Sequence, residues 1–121
     1  MNKDAFIESY LDFLPLALNL AAKARKESLL GLDKDIDQEK ADNRDIFHYG
    51  LRFAVDGISE AIINTILSNI IEQDTNEYSR RFKTMQKETV LWLQAGVNPE
   101  ILHYVLNSYT DIPIKDEGCP A

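Results

Sequence analysis

The sequence has few of the residues that support catalysis or covalent cross-linking. Its one cysteine, Cys119, cannot form a disulfide within the chain, so a reducing cytoplasm is the expected location. The two histidines, His48 and His103, have no cysteine beside them, which favours structural or solvent-exposed roles over metal binding. The five glycines are scattered and form no phosphate-binding loop. We therefore predict no catalytic residue, no metal site and no cofactor, and hence a protein that is not an enzyme.

Positive charge and long apolar runs are also scarce. The chain has 13 Lys and Arg residues against 20 Asp and Glu residues, which gives a formal net charge of −7. Such a chain would repel a phosphate backbone, so nucleic acid is excluded as a partner. The longest apolar run, residues 13–22, contains Pro15 and Asn19 and is shorter than the about 20 residues that a membrane-spanning helix needs. The sequence thus predicts a soluble protein without a membrane span.

Helical periodicity dominates what is present. A first helix is predicted from Asp4 to about Leu30, and Pro15 either kinks it or marks its effective start. Its apolar residues fall on two opposite faces, one of which carries Phe13, Leu16 and Leu20. A helix that is apolar on both sides must be covered on both sides. Either other helices of the chain surround it, or a second copy covers Phe13, Leu16 and Leu20 in a homodimer.

Capping residues divide the rest of the chain. Gly31 is expected to end the first helix, and Asn43 or Asp45 to cap the second helix after a polar connection. Gly57 should end the second helix, and Ser59 should cap the third.

The region that follows is less evenly patterned. Helical spacing weakens near residues 74–76, so residues 58–95 form either one long helix or two. Gly96, Asn98 and Pro99 mark the clearest boundary, because glycine ends helices, asparagine caps them and proline fits their first turn.

Together these signals predict an all-α protein, a compact bundle of about four to five helices. Residues 1–110 are expected to form one domain, and residues 111–121 a flexible C-terminal tail.

Arg25 is the least expected residue of the first helix. At about 100° per residue it falls within an apolar stripe, between Leu18 and Leu29. An arginine at such a position pairs with a carboxylate, extends its guanidinium past the core into water, or faces a partner. The residues around it form a dense patch of mixed charge, which suits electrostatic pairing with another charged surface. The candidate partner-binding charges are Arg25, Lys26, Glu27, Asp33 and Lys34.

Four segments of the chain follow one another in an informative order. Residues 20–33 read LAAKARKESLLGLD, residues 45–57 read DIFHYGLRFAVDG, and residues 88–99 read ETVLWLQAGVNP. These resemble the LAEKARREGLLALE, DPFLKRGLQLVVDG and EGILAIQEGENP segments of the MotA family, the proton-channel stator subunits of the bacterial flagellar motor. Residues 59–72 occupy the place of that family's next cytoplasmic helix. The resemblance covers about residues 10–110.

The membrane spans of the MotA family have no counterpart in this sequence. The family has two spans before the segment that matches residues 20–33, and two more between the parts that match residues 59–72 and residues 88–99. The resemblance therefore implies the cytoplasmic regions of a stator subunit, joined near residues 75–85. Because the pore-lining residues are missing as well, proton conduction is not implied.

The resemblance also implies a partner. In the MotA family, an arginine of the first segment and an acidic residue at its end engage the rotor protein FliG. Those positions hold Arg25 and Asp33 here, and the shorter aspartate is expected to weaken the contact. The implied function is a non-catalytic interaction module that contacts FliG or another motor component, in the cytoplasm and recruited to the motor at the inner membrane. The alternative is a homodimeric helical adaptor that is unrelated to torque generation.

Overall fold

A computed structural model describes residues 1–117, and Cys119 lies outside them. Within that range the regular structure is helical throughout, which confirms the predicted all-α class. The elements are the α-helices α1 (Lys3–Glu27), α2 (Gln38–Asp42), α3 (Ile46–Val55), α4 (Glu60–Glu72), α5 (Glu77–Gln94) and α6 (Pro99–Asn107), and the 3-10 helices η1 (Leu29–Asp35) and η2 (Ile114–Asp116). The short α2 forms inside the predicted polar connection. With it, the described range contains six α-helices, against the four to five helices that the sequence predicted.

The core lies around α1 and α5. Helix α1 packs on α5, α6 and η1, while α5 also packs on α3 and α4. Phe13 of α1 meets Phe47 of α3 edge to face, with 5.1 Å between ring centroids, and meets Phe82 of α5 at 5.8 Å. At Gly50 of α3, an added Cβ would lie 2.8 Å from Leu67 Cδ1 of α4. A larger residue there would therefore displace the buried Leu67 side chain, so glycine allows α3 and α4 to approach this closely.

Helix α1 ends earlier than the sequence predicted. It continues through Pro15 and ends at Glu27, because Ser28 adopts a positive φ of 78°. The chain then continues as η1, in which Gly31 is an interior residue. The prediction that Gly31 ends the first helix is therefore wrong. The change of helix type carries Leu32 into the core, where it is fully buried.

The predicted helix boundaries after α3 are confirmed. Ser59 caps α4 by accepting a hydrogen bond from a backbone N–H of its first turn, and Asn98 caps α6, with Pro99 as its first residue. Gly57 and Gly96 follow α3 and α5 with φ values of 81° and 75°, in the left-handed region that favours glycine.

Residues 58–95 contain two helices, not one. α4 and α5 are separated by a short turn that is held by Asp74. Its carboxylate accepts hydrogen bonds from the backbone N–H of Asn76 at 2.9 Å and from the Ser79 hydroxyl, and it pairs with Lys83 Nζ at 2.8 Å. The bonds from Lys83 and Ser79 hold the pKa of Asp74 well below its usual range. Asn76 then caps α5, which is why the helical spacing weakens at this point of the sequence.

The described part of the predicted tail packs against the helices. After α6 the chain forms η2, and the side chain of Glu117 is fully buried. Its carboxylate accepts hydrogen bonds from the Tyr10 hydroxyl of α1 and from Asn107 Nδ2 of α6, the latter at 3.0 Å. Glu117 thus fixes the end of this segment against α1 and α6. The domain boundary at residue 110 and the flexibility of the tail stay predictions.

Helix α1 is long and apolar enough to cross a membrane by length and composition alone. The mean hydropathy of its most apolar 18-residue window is 1.2. Within this fold 39% of that window is buried, against the neighbouring helices, and the core helices of other proteins pass the same test.

Candidate functional site

The five charges that the sequence singled out lie around the end of α1. Arg25, Lys26 and Glu27 occupy its last turn, and Asp33 and Lys34 lie on η1. All five residues are exposed. Within residues 1–117, no ion pair of 4.0 Å or less involves any of them. We call these five residues the charged patch.

The charged patch is supported by a fixed frame. Lys23 Nζ of α1 pairs with Asp35 Oδ2 of η1 at 2.7 Å, and both side chains are partly buried. Leu32 within η1 and Ile36 just after it lie in the core, with exposed fractions of 0% and 8%. An ion pair and two apolar anchors thus hold η1 in place while its charged residues face water.

η1 also lies directly on the last turn of α1. A Cβ added at Gly31 would be 3.0 Å from the Cβ of Glu27, which is tighter than ordinary van der Waals contact. The positive φ of Ser28 produces the reversal that brings the two elements together. A side chain at position 31 would therefore crowd Glu27, so the glycine permits this close contact and does not have the helix-ending role that the sequence predicted.

Helices α2 and α3 hold the other side of this frame. His48 Nδ1 of α3 accepts a hydrogen bond from the backbone N–H of Asp37 at 3.0 Å, and Asp37 caps α2. Asp45, not Asn43, caps α3. Burial lowers the pKa of His48, although Asp45 and Asp37 oppose that shift. The neutral imidazole acts here as a structural hydrogen-bond acceptor, which is one of the two roles that the sequence left open for it.

Arg25 has its guanidinium in water. The apolar stripe in which the sequence placed it is not a buried face, because Ala22 is exposed and both Leu18 and Leu29 are only partly buried. Leu29 lies on η1, beyond the end of α1, so the helical spacing that aligned it with Leu18 and Arg25 does not apply to it. Basic side chains in the last turn of a helix also interact favourably with the helix dipole. The buried residues of α1 are instead Phe6, Tyr10, Phe13, Leu14, Ala17, Leu20, Ala21 and Ala24.

The structure does not leave the predicted dimer face free. Phe13 and Leu20 are 7% and 4% exposed and belong to the core of the chain itself, whereas Leu16 is 44% exposed. Of the two alternatives that the sequence left open, coverage by other helices of the chain thus holds for Phe13 and Leu20, whereas Leu16 is exposed. α5 and α3 cover Phe13, as its ring contacts show. Homodimerisation through any other surface stays a prediction.

A second cluster of polar residues, near the start of α1, was not foreseen. Buried Glu117 accepts hydrogen bonds from Tyr10 and Asn107, and its Oε1 lies 2.7 Å from His103 Nε2. Burial opposes ionisation of this carboxyl, but the three hydrogen bonds outweigh it and lower the pKa of Glu117. Tyr10 and Glu117 are 107 positions apart, so no local pattern could have indicated their contact. We call these four residues the Glu117 cluster.

A recess of about 340 Å³ is lined by residues of α1, of α5 and of the segment after α6, among them Lys3, Tyr78, Arg81 and Asp111. Its charges already have partners: Lys3 pairs with Asp111, and Arg81 with Glu77 at 3.0 Å. Over the described range, no group of three or more His, Cys, Asp or Glu side chains is arranged to hold a metal ion.

Comparison with known proteins yields one informative relative. No protein-family model matches the chain, and no solved structure matches it. Motility protein A of Borreliella burgdorferi (strain ATCC 35210 / DSM 4680 / CIP 102532 / B31) is 34% identical over 80 residues, which cover 64% of this chain and 30% of the relative. The chain thus matches less than a third of that relative's length. This similarity is consistent with the resemblance to the MotA family that the sequence segments indicate.

Proposed function

We propose that this chain is a non-catalytic protein-interaction module of the flagellar motor, similar to the cytoplasmic part of MotA. In this proposal it binds the rotor protein FliG on the cytoplasmic side of the inner membrane. Arg25 and Asp33 make the principal contacts, with Lys26, Glu27 and Lys34 around them.

The availability of the charged patch carries this proposal. Its five residues are exposed, and none forms an ion pair within the described part of the chain. Elsewhere, charges of α5 do pair, for example Arg81 with Glu77 and Lys83 with Asp74. Unpaired charges of both signs on one surface can steer a partner of complementary charge and fix its register.

The rigidity of the frame supports the proposal as well. Binding is stronger when the contact residues are ordered beforehand, because less conformational entropy is lost. The Lys23–Asp35 ion pair and the burial of Leu32 and Ile36 order η1 before any partner arrives.

The buried polar groups favour a binding role over catalysis. Glu117 and His103 are a carboxylate and an imidazole within hydrogen-bond distance, a pairing that can serve acid–base chemistry. The Glu117 side chain, however, has no exposed surface and accepts hydrogen bonds from Tyr10 and Asn107. The cluster therefore serves to hold α6 and the segment that ends at Glu117 against α1.

Charge reversal at Arg25 tests the proposal. We expect Arg25→Glu to weaken binding to purified FliG from the same organism at least tenfold, measured by isothermal titration calorimetry at low salt, because the reversal replaces attraction by repulsion. Arg80→Glu is the matched control, since Arg80 is also exposed and, within residues 1–117, forms no ion pair. It should bind as the wild type does.

Asp33→Lys is expected to weaken binding as well, by repelling a basic group of the partner. Substitutions that reverse single charges on FliG should then include one that restores binding to Arg25→Glu. Wild-type affinity in Arg25→Glu, or equal losses in Arg25→Glu and Arg80→Glu, would contradict a specific role of the charged patch.

A further inference from the structure

Leu30 is the most exposed large apolar residue of the described chain. Its exposed fraction is 70%, whereas Tyr104 and Ile62 follow with 57% and 53%. It lies on η1, between the α1 residues and the η1 residues of the charged patch. A single exposed leucine is ordinary on a protein surface, so its exposure alone indicates nothing. Its position within the frame is what makes it informative.

The 3-10 geometry of η1 determines which side chains face outward. Side chains three positions apart eclipse one another in a 3-10 helix. Leu29 and Leu32 form one such row, which is partly to fully buried. Leu30 and Asp33 form the next row, and both are exposed. An apolar side chain and an acidic charge of the patch therefore project side by side.

The fold does not use the Leu30 side chain. Leu32 and Ile36 supply the apolar anchors of this segment, and the Lys23–Asp35 ion pair supplies the polar one. Leu30 is consequently held at a defined place in water without contributing to the core. Protein interfaces combine an apolar centre with a polar, hydrated rim, and an exposed leucine on the same element as exposed Asp33 and Lys34 can supply both parts.

We propose that Leu30 is the apolar anchor of the partner-binding surface and inserts into an apolar pocket of the partner protein. This inference rests on the proposed function of the charged patch. Charge complementarity defines the rest of the partner's surface. An acidic side chain beside the pocket meets Arg25 and Lys26, and a basic side chain meets Asp33. The net charge of −7 of the whole chain disfavours an anionic partner surface such as nucleic acid or an anionic membrane.

Substitution of Leu30 tests the anchor. We expect Leu30→Ser to weaken binding to purified FliG at least tenfold without lowering the urea midpoint of unfolding, because the side chain is outside the core. Ile62→Ser is the matched control: Ile62 is also exposed, and it lies on α4, which packs on α3 and α5. It should leave the affinity unchanged.

Salt separates the two contributions. The loss of affinity in Arg25→Glu should become smaller when the salt concentration is raised from about 0.05 to about 0.5 M, because the electrostatic screening length falls about threefold over this range. The effect of Leu30→Ser should persist, because apolar burial is not screened.

The outcomes distinguish the two proposals. If Arg25→Glu weakens binding and Leu30→Ser does not, the anchor is wrong and the proposed function stands. If Leu30→Ser weakens binding only as much as Ile62→Ser does, the anchor is likewise wrong. If wild-type protein does not bind FliG, or if neither Arg25→Glu nor Leu30→Ser changes binding, the proposed function fails and the anchor falls with it.

Discussion

The two ends of α1 treat polar side chains in opposite ways. Near its start, Tyr10 is fully buried and donates a hydrogen bond to Glu117, which Asn107 and His103 also contact. At its other end, Arg25 is exposed and forms no ion pair in the part of the chain that is described. One helix thus carries a polar cluster whose hydrogen bonds are formed within the chain and a charged surface without ion pairs in the described range. Tyr10 and Arg25 are about fifteen residues, or four turns, apart.

Burial explains the difference. A buried polar group is costly unless it is hydrogen-bonded, so the Glu117 cluster must be complete for the fold to be stable. Exposed charges are solvated by water and contribute little to stability whether they are paired or not. Only the exposed charges can replace their hydrating water by contacts with a partner. The comparison teaches that one helix carries both buried polar groups whose hydrogen bonds the fold completes and exposed charges that the fold leaves in water.

The largest effect should come from the core beside the Glu117 cluster. We expect Phe13→Ala to lower the free energy of unfolding by about 3–5 kcal/mol, because it leaves a cavity between α1, α3 and α5. Urea unfolding measures this loss. Leu16→Ala, on the exposed side of the same helix, should cost less than about 1 kcal/mol.

The same pair of variants tests whether Phe13 belongs to the core or to the possible dimer face. If Phe13→Ala had the stability of Leu16→Ala and converted a dimer into a monomer in sedimentation, Phe13 would be an interface residue and not a core residue. Equal stability losses would also remove the contrast between the buried and exposed sides of α1.

Removal of the Glu117 carboxylate should have the next largest effect. Glu117→Ala deletes the acceptor that Tyr10 and Asn107 share, and we expect a loss of about 2 kcal/mol in the free energy of unfolding at pH 7. Asp33→Ala removes a carboxylate from the charged patch and should change stability by less than about 0.5 kcal/mol. If both variants lost the same free energy, the two ends of α1 would not differ in the way that we describe.

The pH dependence of Glu117 has a defined sign. Its pKa is lower in the folded chain than the ordinary value of about 4.3. Its contribution to stability is therefore fully present above that value and is lost as the pH falls through the lowered pKa. Glu117→Ala should lack this part of the acid-induced loss, as urea unfolding at pH 6 and pH 3 would show.

The smallest effect should come from His48, in the frame of the charged patch. Burial lowers its pKa below the reference value of 6.5, so the unfolded chain binds the proton more readily. The contribution of His48 to stability is therefore fully present above pH 6.5 and falls as the pH drops below it, because protonation removes the acceptor for the Asp37 N–H. Urea unfolding at pH 7.5 and 5.5 measures the difference, and a His48→Gln variant should show less of it. An identical pH dependence in the variant would show that His48 does not support the frame.

Sequence reasoning succeeded where the deciding interactions are local. Ser59, Asn98 and Pro99 act within one turn of their own helices, so their residue types were sufficient to place the ends of α4 and α6. It failed at Gly31, because the length of α1 depends on Ser28 and on the distant contacts of η1. The charged patch was found through Arg25, which has an unusual neighbourhood in the sequence, whereas Leu30 looked like one more apolar residue of a long helix.

The sequence by itself determined the helical class, most helix boundaries, the acidic character and the set of charges near Arg25, since these follow from residue types and short spacings. Only the tertiary structure decided which apolar face of α1 is covered, because coverage of Phe13 depends on α3 and α5. It also decided that Glu117 meets Tyr10 across nearly the whole chain. Finally, it decided that η1 turns Leu32 into the core and leaves Leu30 in water. The sequence pattern makes two faces of α1 equally apolar, and only packing against distant helices decides which one is buried. The same packing decides which residues of η1 remain on the surface that we propose for binding.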